Sequence, residues 1–338
     1  MIFGTSGDDV ISGLGGNDTI YGRSGNDVIC GGLGDDSLYG NRGDDELHGD
    51  GLVGTEGDDT LQGGADFLSG GPGLDYFLGD GIWGLGGNDV LTGGDDVIES
   101  GPGGTLVNTP ARLGGPTYGG GDGIFGLGGN DRIVGGNDTI HGGGDDDFFT
   151  GDGLLGQEGD DALYGGDDVI YGGLGDDTVT GDNALGHAGN DYLVGGDDRI
   201  FGGAGDDTLI GDRNIGFDGD DVIICGSDYI DAGSGNDYPS GDYPSPDLPG
   251  SESADFAGGN DTVTLGTDTV LGGFGDDVLW GDDSDGLAEI QVSADNFLDG
   301  GAGDDTCAIY DVNGPHPQGA NGLNTFKRCE EVLETLPS

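Results

Sequence analysis

The chain has 338 residues, 84 of them glycine, and carries 67 acidic side chains against 8 lysines and arginines, a formal net charge of -59. Self-repulsion on this scale opposes a compact state until cations neutralise it, so we expect folding to require a multivalent counter-ion. The charge also excludes nucleic acid and anionic membrane surfaces as partners. No apolar run approaches the roughly 18 residues of a membrane span, so no membrane insertion is expected.

The first repeats are nonapeptides. Each ends in a four-residue phrase, which is Asp, any residue, one apolar residue and any residue, and the five glycine-rich residues before this phrase are here called the lead. These repeats start at Gly4, Gly13, Gly22, Gly31 and Gly40. Because they begin almost at Met1, we expect no secretory signal there, which leaves the export route unspecified. From Gly49 the length of successive repeats cycles through five, nine, seven and nine residues. Equivalent glycines therefore recur every thirty residues, at Gly121, Gly151, Gly181, Gly211 and Gly241. A fixed internal period predicts a solenoid.

Within each repeat, the glycines permit the positive φ and close packing of a tight turn. The residues after the Asp form a short strand whose central residue points inward. The predicted inward residues are Ile11, Ile20, Ile29, Leu38, Leu47, Leu61, Ile140, Leu163, Ile170, Val179, Leu193, Ile200, Leu209, Ile223 and Ile230. One apolar residue per strand makes a thin core, so something besides burial must stabilise the stacking of coils.

We expect each coil to contain two strands and two turns, with 18 residues at first and then 14 and 16 residues in alternation. All five-residue leads then lie along one edge, the full edge, and the one- and three-residue leads along the opposite, truncated edge. About nineteen coils would form a rod of roughly 90 Å. The alternative is that thirty residues form one larger coil with three or four sides.

Two copies of the repeat, Gly172 to Thr180 and Gly202 to Ile210, read Gly-Gly-x-Gly-x-Asp-x-U-x at every position, where U is a large apolar residue. This motif resembles the repeats-in-toxin (RTX) nonapeptide, and in-phase copies span nearly the whole chain. The resemblance implies an all-β fold, a parallel β-roll or right-handed β-solenoid, with calcium ions (Ca2+) held between the turns of successive coils. It also implies folding on calcium and a secreted bacterial setting. Calcium takes six to eight oxygen ligands, which the carbonyls and carboxylates of such turns can supply.

By this resemblance, the sixth residue of each full turn is the carboxylate ligand of calcium. On the full edge these residues are Asp9, Asp27, Asp45, Asp59, Asp75, Asp89, Asp131, Asp147, Asp161, Asp177, Asp191, Asp207, Asp221, Asp237, Asp261, Asp277 and Asp305, and Asp18 and Asp36 belong to the other edge. The fifth residue is Asp or Asn in almost every copy. We expect it to contribute carbonyls and turn hydrogen bonds.

The truncated edge carries its own Asp column: Asp50, Asp66, Asp80, Asp96, Asp122, Asp138, Asp152, Asp168, Asp182, Asp198, Asp212 and Asp228. A one-residue lead has no carbonyls to donate, so this edge departs from the family pattern. We expect these residues to cap their own tight turns through backbone N–H groups. A second set of calcium sites is the alternative.

Three segments interrupt the repeat. Residues 100–120 and the proline-rich residues 243–255 replace turns on the full edge, and we expect surface insertions there, with recognition loops as the alternative. Residues 286–292 lack the turn glycines and form a third gap. Outward residues form a candidate apolar stripe, either exposed for lateral association or buried by rotation of the strand: Val53, Trp83, Phe125, Leu155, Leu185 and Ile215, with Tyr171 and Phe201 between them.

The repeat stops near residue 308, so we divide the chain into a calcium-binding β-roll over 1–308 and a C-terminal cap over 309–338. A disulfide between Cys307 and Cys329 would staple this cap over the last coil. Cys30 and Cys225 lie about twelve predicted coils apart, beyond disulfide reach, and should be free or intermolecular. Cysteines of this kind favour an oxidising, extracellular setting.

The sequence contains no nucleophile-elbow, zinc or phosphate-loop signature, and its carboxylates share one turn role, so we expect no catalysis. We expect a calcium-binding extracellular structural protein, rigidified by a ladder of Ca2+ ions, that self-associates into a homo-oligomer, fibre or surface layer. The alternative is a calcium-dependent adhesion module that recognises a surface polymer or protein through its insertions or a flat face.

Overall fold

The computed structural model of the chain describes residues 1–55, 57–73, 75–102, 121–144, 146–216, 220–242, 262–264, 267–282, 290–292, 296–308, 325–329 and 331–333. The regular secondary structure of these residues consists of β-strands alone. The strands pair in parallel and form three sheets. The predicted all-β solenoid is therefore confirmed, and the architecture is consistent with a β-roll.

The strands are numbered in chain order and fall into three stacks. Sheet 1 contains β1 (Ile2–Phe3), β3 (Thr19–Tyr21), β5 (Ser37–Tyr39), β8 (Phe67–Ser69), β11 (Val97–Pro102), β14 (Thr139–Gly144), β17 (Val169–Leu174), β20 (Arg199–Ala204), β24 (Tyr229–Ser234), β27 (Thr269–Phe274), β30 (Phe297–Ala302) and β32 (Thr325–Lys327). Sheet 2 contains β2 (Val10–Gly15), β4 (Val28–Leu33), β6 (Glu46–Val53), β9 (Tyr76–Gly84), β12 (Asp122–Gly126), β15 (Phe148–Gly156), β18 (Thr178–Gly186), β21 (Thr208–Asp212), β22 (Ile215–Gly216), β25 (Tyr238–Asp242), β28 (Val278–Asp282), β31 (Thr306–Ala308) and β33 (Glu331–Leu333). Sheet 3 contains β7 (Thr60–Gln62), β10 (Val90–Thr92), β13 (Arg132–Val134), β16 (Ala162–Tyr164), β19 (Tyr192–Val194), β23 (Val222–Ile224), β26 (Thr262–Thr264) and β29 (Ile290–Val292).

The first coils have two sides and the later coils have three. At the start of the chain, stacked residues are 18 apart in sequence, as in the pairing of Ile2 with Ile20. From Ser37, which pairs with Phe67, the separation becomes 30, and each such coil places strands in all three sheets. The predicted alternation of 14- and 16-residue coils is therefore wrong, and the alternative of one larger, three-sided coil is correct.

The prediction of 14- and 16-residue coils is wrong because it assumes a turn at every one-residue lead. The chain does not turn at these leads. Strand β15 runs through Gly151 and Asp152 as one extended segment of 9 residues. The coil bends instead at two five-residue leads and one three-residue lead. We name these bends by the sheets that they join in chain direction: the 1–2 corner, the 2–3 corner and the 3–1 corner. The full leads therefore occupy two corners rather than one edge.

The stack is also shorter than predicted. The two long sheets contain 12 and 13 strands in the described part of the chain. At roughly 4.8 Å per strand, sheet 1 is about 55 Å long rather than 90 Å.

Two stacks of apolar side chains fill the coils. The first stack packs sheet 1 against sheet 2 and includes Ile170 and Val179, and the second packs sheet 2 against sheet 3 and includes Leu154 and Leu163. All predicted inward residues are fully buried except Ile11 and Leu61, which are half-buried and pack against these stacks. The inward pattern is confirmed because it depends only on strand alternation, not on how many strands one coil contains.

The full turns require glycine at defined points. At the 1–2 corner, Gly173 and Gly175 have φ values of 123° and 120°, a region that glycine enters without steric cost. Earlier repeats place Leu14, Arg23 or Asn41 at the position of Gly173, with φ of 77°, 87° and 78°. Those turns are strained relative to the later ones, because side chains disfavour this region.

The predicted apolar stripe is buried rather than exposed. Register aligns its six members in sheet 2, and Phe125, Leu155, Leu185 and Ile215 are at most 7% exposed. Val53, at the N-terminal end, is 63% exposed. Tyr171 and Phe201 are not part of this stripe, because they lie in sheet 1.

Residues 103–120 of the first insertion and all of the second lie outside the described residues, but the flanking registers locate both insertions. The separation of stacked residues rises to 42 between Asp89 and Asp131 and to 40 between Asp228 and Asp268. The first insertion replaces a turn at the 1–2 corner and the second a turn at the 2–3 corner, because their flanking strands are β11 and β12, and β25 and β26. The prediction that both lie on one edge is therefore wrong. Within the third gap, residues 286–289 also lie outside the described part.

The described C-terminal residues continue two of the sheets. Strand β32 pairs with β30, and β33 pairs with β31. A disulfide joins Cys307 to Cys329, as predicted, and Cys30 and Cys225 form no disulfide. Lys327 and Arg328 both donate to the carboxylate of Asp299, which is 4% exposed. The division at residues 308/309 stays a prediction.

We expect Ile170→Ala to lower the free energy of unfolding by about 2–5 kcal/mol in calcium, because it opens a cavity in a fully buried stack. Leu174→Ala is the matched control, since Leu174 is 63% exposed on the adjacent turn. Its effect should stay within about 0.5 kcal/mol. Urea unfolding followed by circular dichroism measures both, and equal destabilisation by the two variants would contradict the assigned core.

Candidate metal centre

Aspartates stack in register at the two corners that carry full turns. Along the 1–2 corner the column contains Asp9, Asp27, Asp45, Asp75, Asp147, Asp177, Asp207, Asp237, Asp277 and Asp305, each directly before a strand of sheet 2. Along the 2–3 corner it contains Asp59, Asp89, Asp131, Asp161, Asp191 and Asp221, each directly before a strand of sheet 3. Of the predicted ligands, Asp18 and Asp36 lie in the column that becomes the 3–1 corner, and Asp261 lies outside the described residues.

Beyond the first member of each column, one carboxylate oxygen accepts a hydrogen bond from the neighbouring coil. The N–H of Asp131 donates to Oδ1 of Asp161 at 2.8 Å, and the N–H of Asp161 donates to Oδ1 of Asp191 at 2.9 Å. The same bond links Asp147 to Asp177 and Asp177 to Asp207. The hydrogen bond fixes the carboxylate in one orientation and turns its second oxygen towards the lead of its own turn.

That second oxygen is buried without a hydrogen-bond partner. This is true of Oδ2 in Asp27, Asp45, Asp75, Asp89, Asp131, Asp161, Asp177, Asp191, Asp207, Asp237 and Asp277. A buried ionised oxygen without a partner costs several kcal/mol, so a repeated row of such oxygens requires a positive charge or a proton. Asp9 and Asp59 differ, because their second oxygens accept hydrogen bonds from the hydroxyls of Thr5 and Thr55 at 2.9 and 3.0 Å.

The glycine that opens a full lead, replaced by Ala232 in the turn of Asp237, leaves room for this carboxylate. A Cβ added to Gly156 would overlap Oδ2 of Asp161, and a Cβ added to Gly172 would overlap Oδ2 of Asp177. The spacing of glycine and aspartate in the repeat therefore has a steric cause. The carboxylate folds back over its own turn, where the backbone carbonyls are.

The fifth residues form a separate, exposed ladder outside the buried one. The N–H of Asp160 donates to the side chain of Asn130 at 3.1 Å, and the N–H of Asn190 donates to Asp160 at 2.9 Å. These side chains supply the turn hydrogen bonds that the sequence predicts. Being exposed, they also offer matched controls for the buried column.

The Asp residues of the predicted truncated edge divide into two further columns. Asp66, Asp96, Asp138, Asp168, Asp198 and Asp228 lie at the 3–1 corner. The second column, here the central column, lies within strands of sheet 2 and contains Asp50, Asp80, Asp122, Asp152, Asp182 and Asp212, with Asp242 in the same register. They do not cap their own turns as predicted: Asp168 accepts from the N–H of Asp138 one coil earlier, and Asp152 from the N–H of Gly166.

The interior raises the pKa of these carboxyl groups. Removal from water, with smaller contributions from neighbouring carboxylates, raises the pKa of Asp161 and of Asp177 to about 7. The same cause raises the pKa of Asp66 to about 8 and that of Asp152 well above its ordinary range. Only 8 lysines and arginines are present to balance 67 carboxylates, so the charge must be met from outside the chain.

Divalent calcium fits this donor set. It prefers carboxylate and carbonyl oxygens and accepts six to eight of them in flexible geometry. Groups of three aspartates, such as Asp152, Asp168 and Asp182, bring one oxygen each within 4.8 Å of the others. Fixed carboxylates beside a glycine-rich backbone define a calcium-binding β-solenoid.

Comparison with known protein families gives the same result. The family model of the RTX calcium-binding nonapeptide repeat matches residues 3–38, 31–51, 53–81, 82–104, 125–153, 155–184, 185–214, 226–239, 262–285 and 293–308. Because these matches cover more than half of the chain, it belongs to this family, and it binds multiple calcium ions. No curated protein matches the chain.

We expect the calcium-free chain to gain β-structure as the pH falls. Carboxyl groups with a folded pKa of about 7, against an ordinary value of 3.8, bind protons more tightly when folded. Their contribution to stability is complete below about pH 4 and is lost as the pH rises through about 7. Far-UV circular dichroism of the chelated and dialysed chain between pH 8 and pH 4 measures this. A β signal that grows with rising pH would contradict it.

Proposed function

We propose that this protein is an extracellular structural protein, a rod that folds on calcium and is held rigid by ions between successive turns. The sixth-position aspartates of the 1–2 and 2–3 corners supply the carboxylates, and the lead residues supply carbonyls. The observation that carries the proposal is the row of buried Oδ2 atoms without hydrogen-bond partners, repeated in coil after coil. Ions there neutralise the stack and bridge adjacent coils.

Calcium availability supports an extracellular site of action. Repulsion among 67 carboxylates opposes folding where calcium is scarce, and extracellular calcium modules bind with dissociation constants of roughly 10⁻⁴–10⁻³ M. The disulfide between Cys307 and Cys329 persists in an oxidising compartment. The chain would therefore stay unfolded during synthesis and fold after export.

A structural role is supported by the regularity of the molecule. Its carboxylates occupy equivalent positions in every coil, so none is distinguished as an acid or a base, and we propose that the protein has no catalytic activity. The described residues contain no helix with the length and hydropathy needed to span a membrane.

The outer face of sheet 1 is the surface that we assign to self-association. Tyr171 stacks between His141 and Phe201, with ring centroids 4.8 and 4.9 Å apart, and is 38% exposed. A similar row joins Phe3, Tyr21 and Tyr39 nearer the N-terminus. A flat face with exposed rings offers apolar area for lateral contact. The same face would serve the alternative function, adhesion to a surface polymer or protein.

We expect calcium titration of the chelated chain at pH 7.5 to produce a cooperative β signal in circular dichroism. Asp177→Asn should destabilise the calcium-loaded protein by about 1.4 kcal/mol, the equivalent of a tenfold loss of affinity at one site. Asp176→Asn is the control, because it removes the same charge from the exposed neighbouring position. A β signal that persists in excess chelator at low salt would refute calcium-dependent folding.

The assembly state is tested separately, by size-exclusion chromatography with light scattering and by electron microscopy in calcium. We expect fibres or large oligomers from the native chain, and a shift towards monomer in the double variant Tyr171→Ser, Phe201→Ser. Val90→Thr, at an exposed position of sheet 3, is the control and should leave assembly unchanged. Discrete monomers of the native chain at all concentrations would favour the adhesion module instead.

A further inference from the structure

The central column and the 3–1 corner face each other across the interior. Asp152 lies in the middle of strand β15, with Phe149 of the first apolar stack on one side and Leu154 of the second on the other. Asp168 lies at the 3–1 corner, and both residues are fully buried. A wall of carboxylates therefore separates the two apolar stacks.

We infer that this wall is a third calcium ladder, inside the solenoid and separate from the ions of the glycine-rich turns. Each site takes two successive aspartates of the central column and one of the 3–1 corner. Four such clusters are Asp50, Asp66 and Asp80; Asp80, Asp96 and Asp122; Asp122, Asp138 and Asp152; and Asp152, Asp168 and Asp182. The inference rests on the calcium-dependent folding proposed above and adds a binding site that the repeat motif does not contain.

The positions of the oxygens fit one ion per cluster. Within each cluster, three oxygens lie within 4.8 Å of one another. Two oxygens that share a calcium ion lie at most about 5.2 Å apart, twice the longest common bond of about 2.6 Å. The spacing of the oxygens is therefore compatible with one shared ion in each cluster.

Buried carboxylate oxygens without hydrogen-bond partners are evidence for a bound cation that is independent of the oxygen spacing. Oδ1 of Asp152 and of Asp182 and Oδ2 of Asp168 have no hydrogen-bond partner, and all three residues are completely buried. The other oxygens are held in place, since Asp152 accepts from Gly166 at 2.8 Å and Asp168 accepts from Asp138 at 2.7 Å. The free oxygens are thus fixed in position before an ion arrives.

Charge balance favours a divalent ion. Consecutive clusters share a central aspartate, as Asp152 is shared by two of them, so each coil contributes one central and one corner carboxylate. Two negative charges per coil match one Ca2+ per coil. Magnesium is a poorer fit, because it keeps several waters and requires octahedral geometry at about 2.0–2.1 Å.

Glycines on both sides of the wall leave space for the carboxylates. A Cβ on Gly151 would overlap Oδ2 of Asp168, and a Cβ on Gly165 would overlap the carboxylate of Asp182. The carbonyl oxygen of Gly181 lies beside the same face of Gly151 and is a candidate further ligand. At the C-terminal end, Cys225 replaces the lead glycine and joins Asp212 and Asp242 in a cluster.

The double variant Asp152→Asn, Asp182→Asn tests the internal ladder. We expect it to bind at least two fewer calcium ions per chain at saturation, measured by equilibrium dialysis and atomic emission. Asp160→Asn, Asp176→Asn is the control and should retain the native count, because it removes two exposed charges. If the central carboxyl groups hold protons instead of calcium, the amide replaces a neutral acid and the count stays unchanged, which overturns the inference.

Long-wavelength anomalous scattering from calcium-grown crystals of the native chain tests the ladder even if the variant does not fold. We expect peaks between Asp152, Asp168 and Asp182, in addition to those at the 1–2 and 2–3 corners. Peaks at those two corners alone would overturn the internal ladder and leave the proposed function intact. Absence of peaks at every corner would overturn both.

Discussion

Repulsion between stacked carboxylates is the constraint on which the rest of this structure depends. Parallel coils place identical residues above one another, so each aspartate lies one strand spacing, about 4.8 Å, from its copy in the next coil. Two unit charges 4 Å apart repel by about 1 kcal/mol in water and about 4 kcal/mol at an effective dielectric constant of 20. Repeated along four columns, this repulsion opposes stacking unless bound cations or protons neutralise the carboxylates.

The same constraint explains the glycine content. Carboxylates that fold back over the backbone need neighbours without side chains, as Gly156 allows for Asp161 and Gly151 for Asp168. Glycine also permits the left-handed conformations at Gly173 and Gly175. A chain rich in glycine and aspartate has few apolar side chains per coil, and this is consistent with the proposed contribution of bound ions to its cohesion.

Much of the fold follows from the sequence, because side chains alternate along a strand whatever the shape of the coil. Burial of Ile170, stacking of Asp177 in a turn column and the disulfide from Cys307 were all predictable from period and spacing. None of these features depends on how many sides one coil has.

The shape of the coil was not predictable in the same way. Asp152 begins the same four-residue phrase as Asp161, but it lies within a strand, because a one-residue lead gives the chain no room to bend. The recurrence of this Gly-Asp pair every thirty residues was the sequence signal that could have indicated a thirty-residue coil. The two clusters that share Asp152 could not be predicted from the sequence, because they depend on the third side of the coil. That side places Asp138 and Asp168 near Asp152.

Small-angle X-ray scattering at pH 7.5 tests the central claim most directly, because it measures compactness with and without calcium. A folded chain of 338 residues should have a radius of gyration of about 20 Å, and an unfolded one about 65 Å. The account predicts the small value in millimolar calcium and the large value in excess chelator. A radius near 20 Å in chelator would contradict it, since the coils would then stack without a cation between them.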